Sequence, residues 1–192
     1  MKKILRAINL GLLLALLATG PLQAAEIADV HFDESVTLAG IDQPLQLNGL
    51  GIRYKFFFKI YIAALYVQHK STDAAELVSS SQAKRMTMHF LYDEVEREKL
   101  VDGWNEGFEN NLSAEQLAAL QPRIQQFNAM FETVRKGDVI NLDYIPGKGT
   151  RVTIKGRDKG TVPGPDFNRA LLNIWLGDYP VGEDLKQQLT GG

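Results

Sequence analysis

The segment from Gly49 to Val67 constrains this chain more than any other. It reads Gly49-Leu50-Gly51-Ile52-Arg53-Tyr54-Lys55-Phe56-Phe57-Phe58-Lys59-Ile60-Tyr61-Ile62-Ala63-Ala64-Leu65-Tyr66-Val67, a run dense in aromatic and aliphatic side chains. Val, Ile, Phe and Tyr suit a pleated, half-buried surface, so the run predicts a long strand. Every even position from Ile52 to Tyr66 is apolar or aromatic, whereas the odd positions carry Arg53, Lys55, Lys59 and Tyr61 among smaller apolar residues. Side chains alternate faces along a strand, so one face packs a core and the other is mixed. An Arg and a Tyr on the mixed face can meet an anion over an apolar floor. That reading requires that the chain not turn between Arg53 and Phe57.

Totals bound the rest. Met1-Lys2-Lys3 and Arg6, the apolar stretch Ile8 to Ala18, and Leu22-Gln23-Ala24 predict a secretory signal peptide over residues 1–24, cleaved before Ala25. The apolar stretch falls short of the roughly 20 residues a membrane span needs. Residues 25–192 are expected to form one domain, placed in a bacterial periplasm. The chain has no Cys, so neither a lipid at the cleavage site nor a disulfide is possible, and the core must hold the fold unaided. Net charge is -2 and the basic residues are dispersed, which argues against nucleic acid as the main partner. No second apolar run is long enough to span a bilayer.

Along the chain, Glu26 to Leu47 predicts an edge hairpin leading into the long strand. Thr72 to Val78 predicts a short helix capped by Ser71 or Thr72, and Arg85 to Leu91 a strand. Val95 to Phe108 places Leu100, Val101, Trp104 and Phe108 on one helical stripe. Ser113 to Gln116 fits a capping box. Pro122 is expected to interrupt or kink the next segment, whose stripe continues through Ile124, Phe127, Phe131 and Val134 toward Gly137. Asp138 to Tyr144 and Arg151 to Lys155 predict a hairpin about Pro146-Gly147-Lys148-Gly149. Pro165 suits the first turn of a helix with inward Phe167, Ala170, Leu171, Ile174 and Trp175, stopped at Gly177. Asp184 to Leu189 predicts a short final helix. The order is α+β with a largely antiparallel sheet.

Most chemical constellations have a plain structural reading. His31, His69 and His89 are far apart and lack ligand spacing, so no metal or cofactor site is expected. Ser79-Ser80-Ser81 reads as a loop. Gly147-Lys148-Gly149-Thr150 lacks the upstream Gly and following helix of a phosphate loop. Asp93, Glu94, Glu96 and Glu98 complement a helix dipole. Trp104 and Trp175 read as core anchors rather than pocket lining. Arg53 is different. A guanidinium fork matches a carboxylate bidentately, and Tyr61 can add a hydroxyl donor; the competing reading is a surface or salt-bridged Arg.

The Gly-x-Gly-x-Arg motif with Phe57 to Val67, together with Phe167-Asn168-Arg169-Ala170-Leu171-Leu172-Asn173-Ile174-Trp175-Leu176-Gly177-Asp178 and Asp184-Leu185-Lys186, resembles the chalcone isomerase superfamily. The resemblance covers nearly all of the chain after the leader and is nearest to a secreted bacterial branch. It implies an open-faced sandwich, a large antiparallel sheet with helices packed on one face and a ligand cleft between. Arg53 matches the Arg that stabilises enolate charge in the plant isomerases. The other active positions depart: the catalytic Thr falls on Tyr61, the Tyr near Glu96, the Asn near Gly103 and the closing-helix Thr on Ile174. The superfamily also has a non-catalytic, fatty-acid-binding branch in which an Arg and a Tyr hold the carboxylate, and Arg53 with Tyr61 resembles that pair.

The expectation is therefore a non-enzymatic periplasmic protein binding a small apolar carboxylate, such as a fatty acid, through Arg53 and Tyr61. Two alternatives stand beside it. One is an isomerase or lyase acting on an enone. The other is an envelope interaction module without a ligand.

Overall fold

The computed structural model describes residues 24–191. The predicted leader lies outside the described residues except for Ala24. Among the described residues, no helix is long and apolar enough to cross a membrane.

The sheet is seven-stranded and antiparallel throughout. Its strands are β3 (Ser35–Val36), β4 (Leu45–Lys55), β5 (Phe58–Val67), β6 (Lys84–Phe90), β9 (Val139–Ile145), β10 (Gly149–Ile154) and β11 (Arg157–Val162), in the order β11-β10-β9-β6-β5-β4-β3. Two small pairs accompany it: β1 (Ala24–Ile27) with β2 (Val30–Asp33), and β7 (Glu94–Val95) with β8 (Val134–Arg135). The helices are α1 (Ala74–Ser79), α2 (Arg97–Asn111), α3 (Ala114–Asn128), α4 (Pro165–Leu176) and α5 (Glu183–Leu189). The α+β expectation is met, with strands and helices in the predicted order.

Alternation along β5 builds two cores. Tyr61, Ala63, Leu65 and Val67 point toward the helices, where they join Met86 and Met88 of β6 and the inward stripe of α4. Ile62, Ala64 and Tyr66 point the other way and pack with Phe32, Leu38, Leu45 and Leu47. The helices thus occupy one face, and the N-terminal hairpin covers part of the opposite one. Further along that opposite face, Arg85, Asp143 and Arg151 lie side by side on β6, β9 and β10. The buried Asp143 carboxylate accepts from Arg85 Nε at 2.6 Å and from Arg151 Nη2 at 2.8 Å. Two cations on one carboxylate satisfy it where water cannot reach.

Four expectations need correction. The long strand is a hairpin: β4 and β5 are joined through Phe56 and Phe57, and Lys55 pairs with Phe58. Asp73, rather than Ser71 or Thr72, caps α1, its carboxylate accepting from the Ala75 and Glu76 N–H groups. Pro122 does not interrupt α3, because it lies on the solvent side, where the carbonyl it leaves without a donor can be hydrated. That helix ends at Asn128, so Val134 sits in β8 instead of extending the stripe. The Ser113–Gln116 capping box is present, with both of its hydrogen bonds.

Candidate ligand cleft

Arg53 and Tyr61 are eight positions apart in sequence. On one extended strand that spacing would separate them by roughly 26 Å. The hairpin makes them direct partners across the β4–β5 ladder, so their side chains share a face at about 5 Å. The turn thus undoes the single-strand reading and brings together the two residues it singled out.

The local sequence explains why Arg53 reaches open space. A bulge between Leu47 and Gly49 shifts the alternation, leaving Leu50 and Ile52 on the hairpin core and Gly49, Gly51 and Arg53 on the helix side. Helix α5 lies against this stretch. A Cβ on Gly49 would strike the Gln188 and Leu189 backbone, and one on Gly51 would strike the Gln188 side chain. Two glycines therefore let α5 approach the strand, and Arg53 is the next residue on that face. Asn48 locks the arrangement, its Nδ2 donating to the carbonyls of Ser71 at 3.0 Å and Leu189 at 2.8 Å.

Arg53 and Tyr61 both line a cleft of about 570 Å³ that runs beside α2 from Glu96 to Asn110. That stretch corresponds to about 21 Å of helix at 1.5 Å per residue. Ile60, Phe90, Leu100, Trp104 and Ile174 are among the apolar residues that line it. Helix α2 leaves room for the cleft at Gly103, where an added Cβ would meet nothing within 4 Å. At Gly107, one turn on, α2 instead touches α4, because a Cβ there would come within 2.8 Å of Ile174 Cγ1. The charged lining is balanced: Arg53, Lys55 and Lys99 against Glu94, Glu96 and Glu106. Glu94 is held by Arg135 at 2.6 Å. Among the described residues no carboxylate forms an ion pair with Arg53, so its fork is available to a ligand.

Tyr61 is buried, and its hydroxyl oxygen accepts from Trp175 Nε1 at 3.1 Å. Burial pushes its pKa up to about 12, opposed by the Trp175 hydrogen bond and by the Arg53 charge. The phenol therefore stays protonated at neutral pH. With Trp175 occupying the oxygen, its own O–H remains to donate. The ring of Trp104 packs edge-on against Trp175, with centroids 5.7 Å apart. Trp104 Nε1 is buried with no acceptor among the described residues. The sequence reading treated both tryptophans as core anchors. Both are buried in the helix-side core; Trp175 also orients Tyr61, and Trp104 also lines the cleft, with its donor unanswered among the described residues. A tryptophan on an apolar helical stripe carries no sequence signal separating these roles.

The positions aligned with the isomerase residues, Tyr61, Glu96, Gly103 and Ile174, all lie on the cleft wall.

Comparison with known proteins agrees with this architecture. Residues 24–191 match the family described as chalcone isomerase-like. A search of curated proteins finds no match. Among solved structures, the crystal structure of a fatty-acid binding protein from Arabidopsis thaliana superposes with a TM-score of 0.69 at 15% identity, covering 88% of this chain and 97% of that one. At that identity the likeness speaks for the fold. The family match over nearly the whole described chain, with the antiparallel sheet and its helix-lined cleft, makes this protein a member of the chalcone isomerase-like family.

Proposed function

We propose that this protein binds a fatty acid or similar apolar carboxylate without transforming it, and that it does so in the periplasm. The observation that carries the reading is the cross-strand Arg53–Tyr61 pair at a cleft of mixed apolar and charged lining, with the Arg ion-paired to no carboxylate among the described residues and the phenol held protonated. The Arabidopsis neighbour, described as a fatty-acid binding protein, supports the ligand class. The periplasmic part rests on the leader-like residues 1–24 alone.

A protonated Tyr is suited to donate to a carboxylate and unsuited to remove a proton. The volume falls within the usual range for small-molecule sites. Burying about ten methylenes at ~0.8 kcal/mol each gives a gross gain of about 8 kcal/mol. Association and chain ordering remove a large part of it. Micromolar binding, about −8 kcal/mol, then needs the carboxylate well paired.

Two measurements test this. Organic extraction of the purified protein followed by mass spectrometry should return a near-stoichiometric fatty acid. In calorimetry, Arg53→Ala should weaken a long-chain fatty acid at least tenfold while leaving the thermal midpoint unchanged. Equal affinity in the variant would remove Arg53 from the head-group site.

A further inference from the structure

The tip of the β4–β5 hairpin has no structural task that accounts for its residues. Phe56 is 84% exposed, Phe57 96% and Phe58 55%. Phe56 also holds a φ of 55°, a left-handed conformation that is costly for a bulky side chain and natural for Gly or Asn. A turn made for stability alone would carry one of those. Behind the three rings stand Tyr54 and Tyr92, partly exposed, with Tyr92 edge-on to Phe58 at 5.6 Å. Lys55 and Lys59 flank the tip, both exposed and neither ion-paired among the described residues.

We propose that this tip docks the protein on a lipid bilayer, the Phe rings entering the headgroup–acyl boundary. The tiers match what an interface requires. Apolar rings lead, tyrosines follow at the level where their hydroxyls stay wet, and lysine stems extend back to headgroup phosphates. Charge separates this occupant from a protein partner. Lysine is depleted at protein–protein contacts, and a second copy would bring its own Lys55 and Lys59 against this pair. An anionic lipid surface is instead complementary to them. The docked tip is part of the cleft wall, since Phe56 and Phe58 line it. The entrance would therefore face the lipid, although the docking itself needs no ligand.

The test uses the chain from Ala24 onward, which carries every strand and helix described and omits the apolar residues before it. Phe57→Trp is mixed with ligand-free vesicles of phosphatidylethanolamine and phosphatidylglycerol, some carrying brominated acyl chains. The expected result is a blue-shifted emission quenched by bromine. In co-sedimentation, Phe56→Asn with Phe57→Ser should cut vesicle partitioning at least tenfold. Its thermal midpoint should not fall, because Asn accepts the turn that Phe strains. Lys55→Gln with Lys59→Gln should weaken binding to these vesicles but not to phosphatidylcholine. Unquenched emission, or equal partitioning of the Phe variants, would overturn the proposal. A tip-dependent dimer in sedimentation velocity without vesicle binding would also overturn it, assigning the tip to a second copy. No outcome here bears on the Arg53–Tyr61 reading, since no carboxylate ligand is present.

Discussion

Lys84 is a buried cation beside the helix-side core, and among the described residues it pairs with no carboxylate. Its Nζ donates to the carbonyls of Leu77 at 2.9 Å and Ser80 at 2.7 Å, closing the C-terminal end of α1, and lies over the Tyr144 ring. Burial, helped by the charge of Arg169, lowers its pKa from 10.5 to about 8. The unfolded chain therefore holds this proton more tightly than the folded one. Stability is reduced at neutral pH and rises as pH climbs through 8 toward 10.5. Tyr61 and Tyr66, both raised from 10.0 to about 12, act in the opposite sense: their contribution is complete below pH 10 and is lost as pH rises through 12. Denaturant titrations should thus show stability increasing between pH 8 and 10 and turning over above. In Lys84→Met the rise should vanish, and a persisting rise would assign it to another group. At this scale sequence reasoning singled out Arg53 and Tyr61 through their chemistry on an apolar run, and the structure makes them neighbours on the cleft wall. It missed Lys84 and the orphaned Trp104 donor, because burial of a lysine or of one indole nitrogen depends on neighbours far along the chain.

Individual elements were legible where pattern and punctuation coincide. The capping box of α3, Pro165 at the start of α4 and Gly177 at its end each carry a local signal, and each is where it was expected. The β4–β5 turn was not legible, since Phe56-Phe57 contains none of the residues that usually mark one. Strand β11 was missed for a related reason. Arg157 to Val162 is polar along most of its length, and its pairing with β10 supplies what its side chains do not advertise. Glycines divide in the same way. Gly49 and Gly103 look alike in sequence, yet one is pressed by α5 and the other faces the open cleft. Gly49→Ala should destabilise by about 1–3 kcal/mol through overpacking. Gly103→Ala should stabilise by about 0.5–1 kcal/mol through helix propensity. Chemical denaturation of the two variants checks both signs. Gly103→Leu, extending further into the cleft, should lose fatty-acid binding while remaining folded.

For the whole molecule, the family resemblance conveyed the layered plan, and composition conveyed a core without covalent staples. What neither conveyed is that β5 serves two cores at once, one on each face. Trp104 and Trp175 both belong to the helix-side core, and Phe32 to the other. Phe32→Ala should cost about 3 kcal/mol. Because the shared strand couples the faces, tryptophan fluorescence should report the same lowered midpoint as far-UV circular dichroism. Separate midpoints would mean that the N-terminal hairpin unfolds on its own.

The contact of Gly49 and Gly51 with α5 also sets an order of events during biosynthesis. The strand bearing Arg53 meets a helix that begins at Glu183, and Asn48 bonds the carbonyl of Leu189 across 141 positions. A nascent chain that has emerged only through the sheet lacks this support beside Arg53. The wall of the cleft beside Arg53 is therefore complete only once the chain as far as Leu189 has folded back onto the strand.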